Sequence, residues 1–133
     1  MKYLSLILLI AFSSFSSELI ACKCKALSPQ EDYKISHHEM EVCILKLIKE
    51  KRNGERIHLA EVKHHYKGST TSNTIQIKQG TSTCDYFFLV RNTYLFYGRE
   101  DENGFYVTNN CHRTRNIKHA IKDLRFLNEI TNH

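Results

Sequence analysis

Two hydrophobic periods divide this 133-residue chain. From residue 40 to residue 108 the apolar positions fall in short β-branched and aromatic stretches. These are Met40–Lys49 (MEVCILKLIK), Arg56–Tyr66 (RIHLAEVKHHY), Thr74–Lys78 (TIQIK), Tyr86–Val90 (YFFLV), Tyr94–Tyr97 (YLFY) and Phe105–Thr108 (FYVT). Thr74–Lys78 alternates cleanly, with Ile75 and Ile77 on one face, as a half-buried strand does. Asn53-Gly54 lies between the first two stretches and Asn103-Gly104 precedes the last, and Asn-Gly is a strong hairpin signal. Five or six strands at roughly 10-residue spacing predict a small barrel or sandwich.

The other period is helical. Ile117, Ala120, Ile121, Leu124, Leu127 and Ile130 recur at three- and four-residue steps, with Lys118, Lys122, Asp123 and Glu129 on the remaining faces. That pattern predicts a C-terminal helix over 117–130 lying on the barrel. Ser28-Pro29-Gln30-Glu31-Asp32-Tyr33 offers an N-cap serine, a first-turn proline and acids behind it, and so predicts a short N-terminal helix.

The start of the chain reads differently. Met1-Lys2 is a short positive segment, Tyr3–Phe12 is an apolar run, and Ser13–Ala21 is small and polar. This is the layout of a secretory signal peptide over 1–21, cut after Ala21, leaving one domain over 22–133. The apolar run is too short to span a bilayer as a helix, and no second one follows. The expected product is secreted into the extracellular space or matrix, with neither a membrane nor a nucleic acid as partner.

Cleavage leaves all five cysteines in the mature chain: Cys22, Cys24, Cys43, Cys84 and Cys111. A secreted chain oxidises them, and an odd count leaves at least one without an internal partner. Cys22 and Cys24 are too close to bridge each other without strain, so each reaches a distant partner. Spacing leaves the pairing open. No second Cys-x₂-Cys or His-x₃-His pair completes a zinc site. Cys43, inside a predicted strand and aligned with Leu45 and Leu47, is expected to be a buried free thiol, with a bridge to another chain as the alternative.

Cleavage after Ala21 would make Cys22 the first residue, with a free α-amine. A Cys22-Lys23-Cys24 terminus, then Ala26–Gln30 (ALSPQ), Thr81-Ser82-Thr83-Cys84, Tyr94–Gly98 (YLFYG) and Phe105–Cys111, resembles the tissue inhibitors of metalloproteinases over residues 22–125. The resemblance implies a netrin-like domain: an OB-fold-like five-stranded β-barrel with a short N-terminal and a C-terminal helix. It implies bridges Cys22–Cys84 and Cys24–Cys111, and an inhibitory surface of Cys22, Lys23, Cys24 and Thr81–Cys84. It further implies that the protein has no cofactor of its own. Its metal contact would be the catalytic zinc of a partner metalloendopeptidase of the matrix metalloproteinase kind, chelated by Cys22.

Three features depart from the family. Lys23 stands where Thr or Ser is usual. The family's third cysteine, due near Lys34, is absent. The family's second, cysteine-rich half has no counterpart, so its functions are not carried over.

Charge supplies the alternative. The net charge is +5. Lys46, Lys49, Lys51, Arg52, Arg56, Lys63 and Lys67 gather around the first predicted hairpin. Arg113, Arg115, Lys118, Lys122 and Arg125 line the last helix. Outside a cell such a surface meets heparan sulfate, and the alternative function is a non-inhibitory netrin-like module binding matrix or heparan sulfate. His37-His38 and His64-His65 are adjacent pairs, and adjacent residues on a strand point to opposite faces and chelate poorly. No nucleophile, base and orienting group stand together, so the chain is not read as an enzyme.

Overall fold

The computed structural model describes residues 22–132. The expected signal peptide, residues 1–21, lies outside the described residues. The element order is α1 (Pro29–Ile35), β1 (His38–Glu50), β2 (Arg56–Lys67), β3 (Thr74–Gln79), β4 (Thr93–Glu100), β5 (Tyr106–Val107), β6 (Arg115–Asn116), a 3₁₀ turn (Ile117–His119) and α2 (Ile121–Thr131).

The chain is mainly β. The strands run in the order β1-β2-β3-β5-β4-β6, and an additional β1–β4 pairing closes the first five into an OB-fold-like barrel. All pairings are antiparallel except the single β3–β5 bridge, Ile77 with Tyr106. Closure leaves few free edges. The predicted first hairpin forms at Asn53-Gly54: Lys51 N–H donates to Glu55 O at 2.8 Å and Gly54 adopts φ +90°. In β4, Gly98 sits where a side chain would collide with the Val107 carbonyl and the Phe96 ring, so the strands can approach only over glycine.

Strand β4 separates two cores. Tyr94 and Phe96 face the barrel interior with Met40, Val42, Ile44 and Ile77. Leu95 and Tyr97 face the other way, against Ala120, Leu127 and partly buried Tyr33, Leu124 and Phe126. Burial on both faces explains why YLFY carries no polar alternation.

Three expectations are corrected. Tyr86–Val90 is not a strand. Its N–H groups go to side chains: Phe88 N–H donates to Gln79 Oε1 (3.1 Å) and Leu89 N–H to the Tyr94 hydroxyl (2.8 Å). The segment is a plug, with Phe88 buried in the barrel while Phe87, Leu89 and Val90 are exposed. The C-terminal helix is broken at Ala120, at φ −105° and ψ 18°, between the 3₁₀ turn and α2. Its buried face carries Asp123, while Ile121 is 66% exposed. Cys43 is a free thiol but only half-buried, opposite Glu61 and Thr93 in the sheet.

Candidate functional site

The first described residues have little structure of their own. Residues 22–28 form neither helix nor strand, and Lys23, Cys24, Lys25 and Ala26 are exposed. Their position comes from crosslinks. Cys22 is bonded to Cys84 and Cys24 to Cys111, closing sequence separations of 62 and 87 residues. In the chain-entropy picture each closure stabilises the fold by roughly 4–5 kcal/mol, not simply additively. Lys23 therefore stands exposed between two anchored neighbours.

Each anchor point is itself fixed. The Thr81–Cys84 loop folds on its own side chains: Ser82 N–H donates to Asp85 Oδ2 (2.8 Å), and Cys84 N–H to Ser82 Oγ (3.2 Å). Asn110 joins it to the segment holding Cys111. Its N–H donates to Cys84 O (2.7 Å) and its Nδ2 to Thr83 O (3.0 Å) and Asp85 O (3.2 Å). Thr81, Ser82 and Thr83 are exposed beside the Cys22–Cys84 bridge.

Beyond Cys24 the chain is tied to the helices. Arg113 Nη1 donates to Leu27 O at 2.8 Å. Ser28 caps α1, its Oγ accepting from Glu31 N–H at 3.1 Å. Beneath, fully buried Asp32 accepts from Ser36 Oγ (2.8 Å) and Arg113 N–H (2.5 Å), and His112 Nδ1 lies 2.7 Å from it. Arg113 grips buried Asp123 through Nε (2.6 Å) and Nη2 (2.7 Å), and the Tyr97 hydroxyl donates to the same carboxylate (2.7 Å). Burial alone would raise the Asp123 carboxyl. The bonds from Arg113 and Tyr97 outweigh it and hold the group below its ordinary range. The Cys111–Arg113 segment thus joins the crosslinked terminus to both helices.

A metal does not fit the sulfur cluster. Among the described residues, Cys22, Cys24 and Cys111 bring their sulfurs within 4.8 Å of one another. All three are consumed in disulfides, so none can ligate as thiolate.

No family model and no curated protein matches this chain.

The structure gathers Cys22, Lys23, Cys24, Thr81, Ser82, Thr83 and Cys84 at one place and leaves Cys43 apart, on the sheet. The supporting groups Asp32, Tyr97, Asn110, His112, Arg113 and Asp123 went unread in the sequence. One signal was present: Asp123 lies three residues after Ala120 and four before Leu127, a spacing that sets it beside them, although its charge assigns it to the polar faces. The predicted basic surface is partly neutralised. Lys51, Arg56 and Lys63 pair with Glu55, Glu50 and Glu61, and Arg113 is spent on Asp123. Lys67 turns to the Tyr33 carbonyl and its ring.

Proposed function

We propose that this protein is a secreted inhibitor of zinc metalloendopeptidases of the kind that the tissue inhibitors of metalloproteinases control. The observation that carries the reading is the Cys22-Lys23-Cys24 segment, half-buried at Cys22, exposed at Lys23 and Cys24, and bridged on both sides of Lys23 to the body of a closed barrel. The reading needs cleavage after Ala21.

The catalytic zinc of such a protease holds a water in its open position, and that water is the nucleophile. Cys22 offers a neutral α-amine and its own carbonyl oxygen to that position, displaces the water and halts hydrolysis. Lys23 follows into the primary specificity pocket. There it favours a target whose pocket is deep and acidic, because a buried ammonium without a partner is costly. The two bridges and the Arg113–Leu27 bond order the segment before it binds, so less conformational entropy is lost on association. Thr81–Cys84 flanks the terminus and widens the contact.

The test compares inhibition constants of protein beginning at Cys22 with protein extended by one alanine, against a panel of zinc endopeptidases. The extension removes the chelating amine and is expected to weaken inhibition by about a hundredfold or more. N-acetylation acts alike. Inhibition should weaken as pH falls below about 7.7, where an ordinary α-amine takes up its proton. Equal constants for the native and extended proteins would refute the reading.

A further inference from the structure

The two bridges at the terminus touch each other. Cys22 Sγ and Cys111 Sγ belong to different bridges and lie 3.7 Å apart. Cys24 Sγ lies within 4.8 Å of both. Reacting atoms held in place begin a step from about 3–3.5 Å, so the contact is close to reactive distance. A disulfide exchanges when a thiolate attacks one of its sulfurs, and exposed bridges exchange most readily. Cys24 is the exposed member of the four, while Cys22, Cys84 and Cys111 are half-buried. The free thiol, Cys43, is not in this cluster, so the attacking thiolate comes from solution.

The surroundings narrow the attacker. A cavity of about 210 Å³ adjoins Cys24 and Cys111. Lys25, His112, Arg113 and Arg115 line it beside Asn110, and among the described residues no carboxylate does. Asp123 holds Arg113 and Asp32 holds His112 from behind. Lys25 lies 3.6 Å from Glu31 in an exposed pair, which neutralises it little. Arg115 donates through Nε to the Arg113 carbonyl. A recess lined by cations concentrates anions. The same charges favour the thiolate that leaves on Cys111. The volume is below the roughly 300–1,000 Å³ of drug-sized sites, so the occupant is small.

We propose that the Cys24–Cys111 bridge is a thiol-exchange site, at which a small anionic thiol caps Cys24 and the freed Cys111 then takes Cys22 from Cys84. In the first step the external thiolate attacks Cys24 Sγ. A mixed disulfide forms on Cys24, the Cys24–Cys111 bond breaks, and its electron pair leaves on Cys111 Sγ. In the second step the Cys111 thiolate attacks Cys22 Sγ, its neighbour at 3.7 Å. The Cys22–Cys111 bond forms, the Cys22–Cys84 bond breaks, and the Cys84 thiolate takes a proton from water. Two disulfides are present before and after, so the thiol is the sole co-reactant. Neither step uses the α-amine of Cys22. Protein extended by one alanine should therefore exchange like the native protein, whatever the extension does to protease inhibition.

The experiment treats the disulfide-intact protein with mercaptoethanesulfonate, an anionic thiol, or cysteamine, a cationic one, at equal thiolate concentration. Acid quenching, alkylation and peptide mapping by mass spectrometry then locate every sulfur. The expected product carries one added thiol on Cys24, a Cys22–Cys111 bridge and an alkylated Cys84. The anionic thiol should react at least about tenfold faster, each rate being normalised to that with an uncharged model disulfide. Salt should narrow the difference. Lys25→Glu should reduce it by about threefold or more. Circular dichroism checks the fold of that variant, and the mapping of the unmodified protein needs no variant. An adduct on another cysteine, or no adduct short of full reduction, overturns the proposal. So does an alkylated Cys111 beside an intact Cys22–Cys84 bridge, since the second step then fails. Equal normalised rates for the two thiols would overturn the role given to the cavity.

Discussion

The two faces of β4 bury opposite chemistries. Inside the barrel, Tyr94 and Phe96 meet aliphatic side chains and the Phe88 plug, with ring pairs at 5.0 Å (Phe88–Tyr94) and 6.5 Å (Phe88–Phe96). Outside, Leu95 and Tyr97 share their layer with three fully buried carboxyl groups, Asp32, Glu39 and Asp123. The inner core needs only shape, since apolar burial is non-directional. The outer layer needs partners, since a buried charge without one is expensive. The outer layer is also the one that ties the crosslinked terminus down, through Arg113. Apolar packing therefore makes the barrel, and a directional ionic layer orients what the barrel displays.

Truncating one residue on each side is the strongest way to break the comparison. Arg113→Ala leaves the buried Asp123 without its charge partner, held by the Tyr97 hydroxyl alone, and is expected to cost about 3–5 kcal/mol. Phe88→Ala removes a buried ring from the barrel and is expected to cost a similar 3–5 kcal/mol. Urea unfolding measures both, and pH separates them. Asp123 titrates below its ordinary value in the intact protein, so its contribution is present above about pH 3.8 and fades as pH falls. The Arg113→Ala deficit should shrink in acid while the Phe88→Ala deficit does not. Replacing both partners, as Arg113→Met/Asp123→Leu, should recover much of the loss. A pH-independent Arg113→Ala deficit would show that the outer layer is held by packing alone.

Glu39 sharpens the contrast from the opposite sign. Neither carboxyl oxygen has a hydrogen-bond partner among the described residues, and in the sheet the residue pairs with Lys67 and Tyr97. Burial first, then the neighbouring Asp32 and Asp123, push its carboxyl up to about 8, against the attraction of Lys67. A carboxyl that ionises at about 4.5 unfolded and about 8 folded keeps its proton only in the native state between those values. Stability therefore falls as pH rises through that window. Glu39→Gln removes the ionisation. Its stability relative to the unmodified protein should rise by roughly 3 kcal/mol between pH 5 and pH 8. Parallel stability profiles for the two proteins would mean that Glu39 finds a partner in solution.

How much of this was legible follows the same division. The inner barrel announced itself in alternating or continuous apolar runs and in Asn-Gly turns, because binary pattern and turn chemistry are local. Tyr86–Val90 misled for a physical reason. Its composition suits a strand, but its N–H groups are satisfied by the Gln79 and Tyr94 side chains, which no local pattern foretells. Strand β6 is two residues, Arg115 and Asn116, carrying no periodicity to read. The crosslinked terminus could be placed only through a resemblance, since spacing allows many cysteine pairings. The ionic layer stayed hidden because charged residues are assigned to solvent by default. Asp32 and Asp123 are buried only because His112 and Arg113 arrive from 80 and 10 residues away.

The smallest expected effect tests the phase of the last helix. A stripe read from the apolar residues alone puts Ile121 in the core, where Ile121→Ser would cost several kcal/mol. The break at Ala120 resets the helix, so that Asp123 and Leu127 face inward and Ile121 outward. Serine at 121 then loses little buried area and keeps the first-turn backbone, and the expected change lies within about 0.5 kcal/mol of zero. Leu127→Ala, on the buried side of the same helix, should cost about 2–5 kcal/mol. If instead Ile121→Ser destabilises as much as Leu127→Ala, the helix sits rotated from this arrangement. The Arg113–Asp123 pair could not then form, and the terminus would lose its tie to the helical layer.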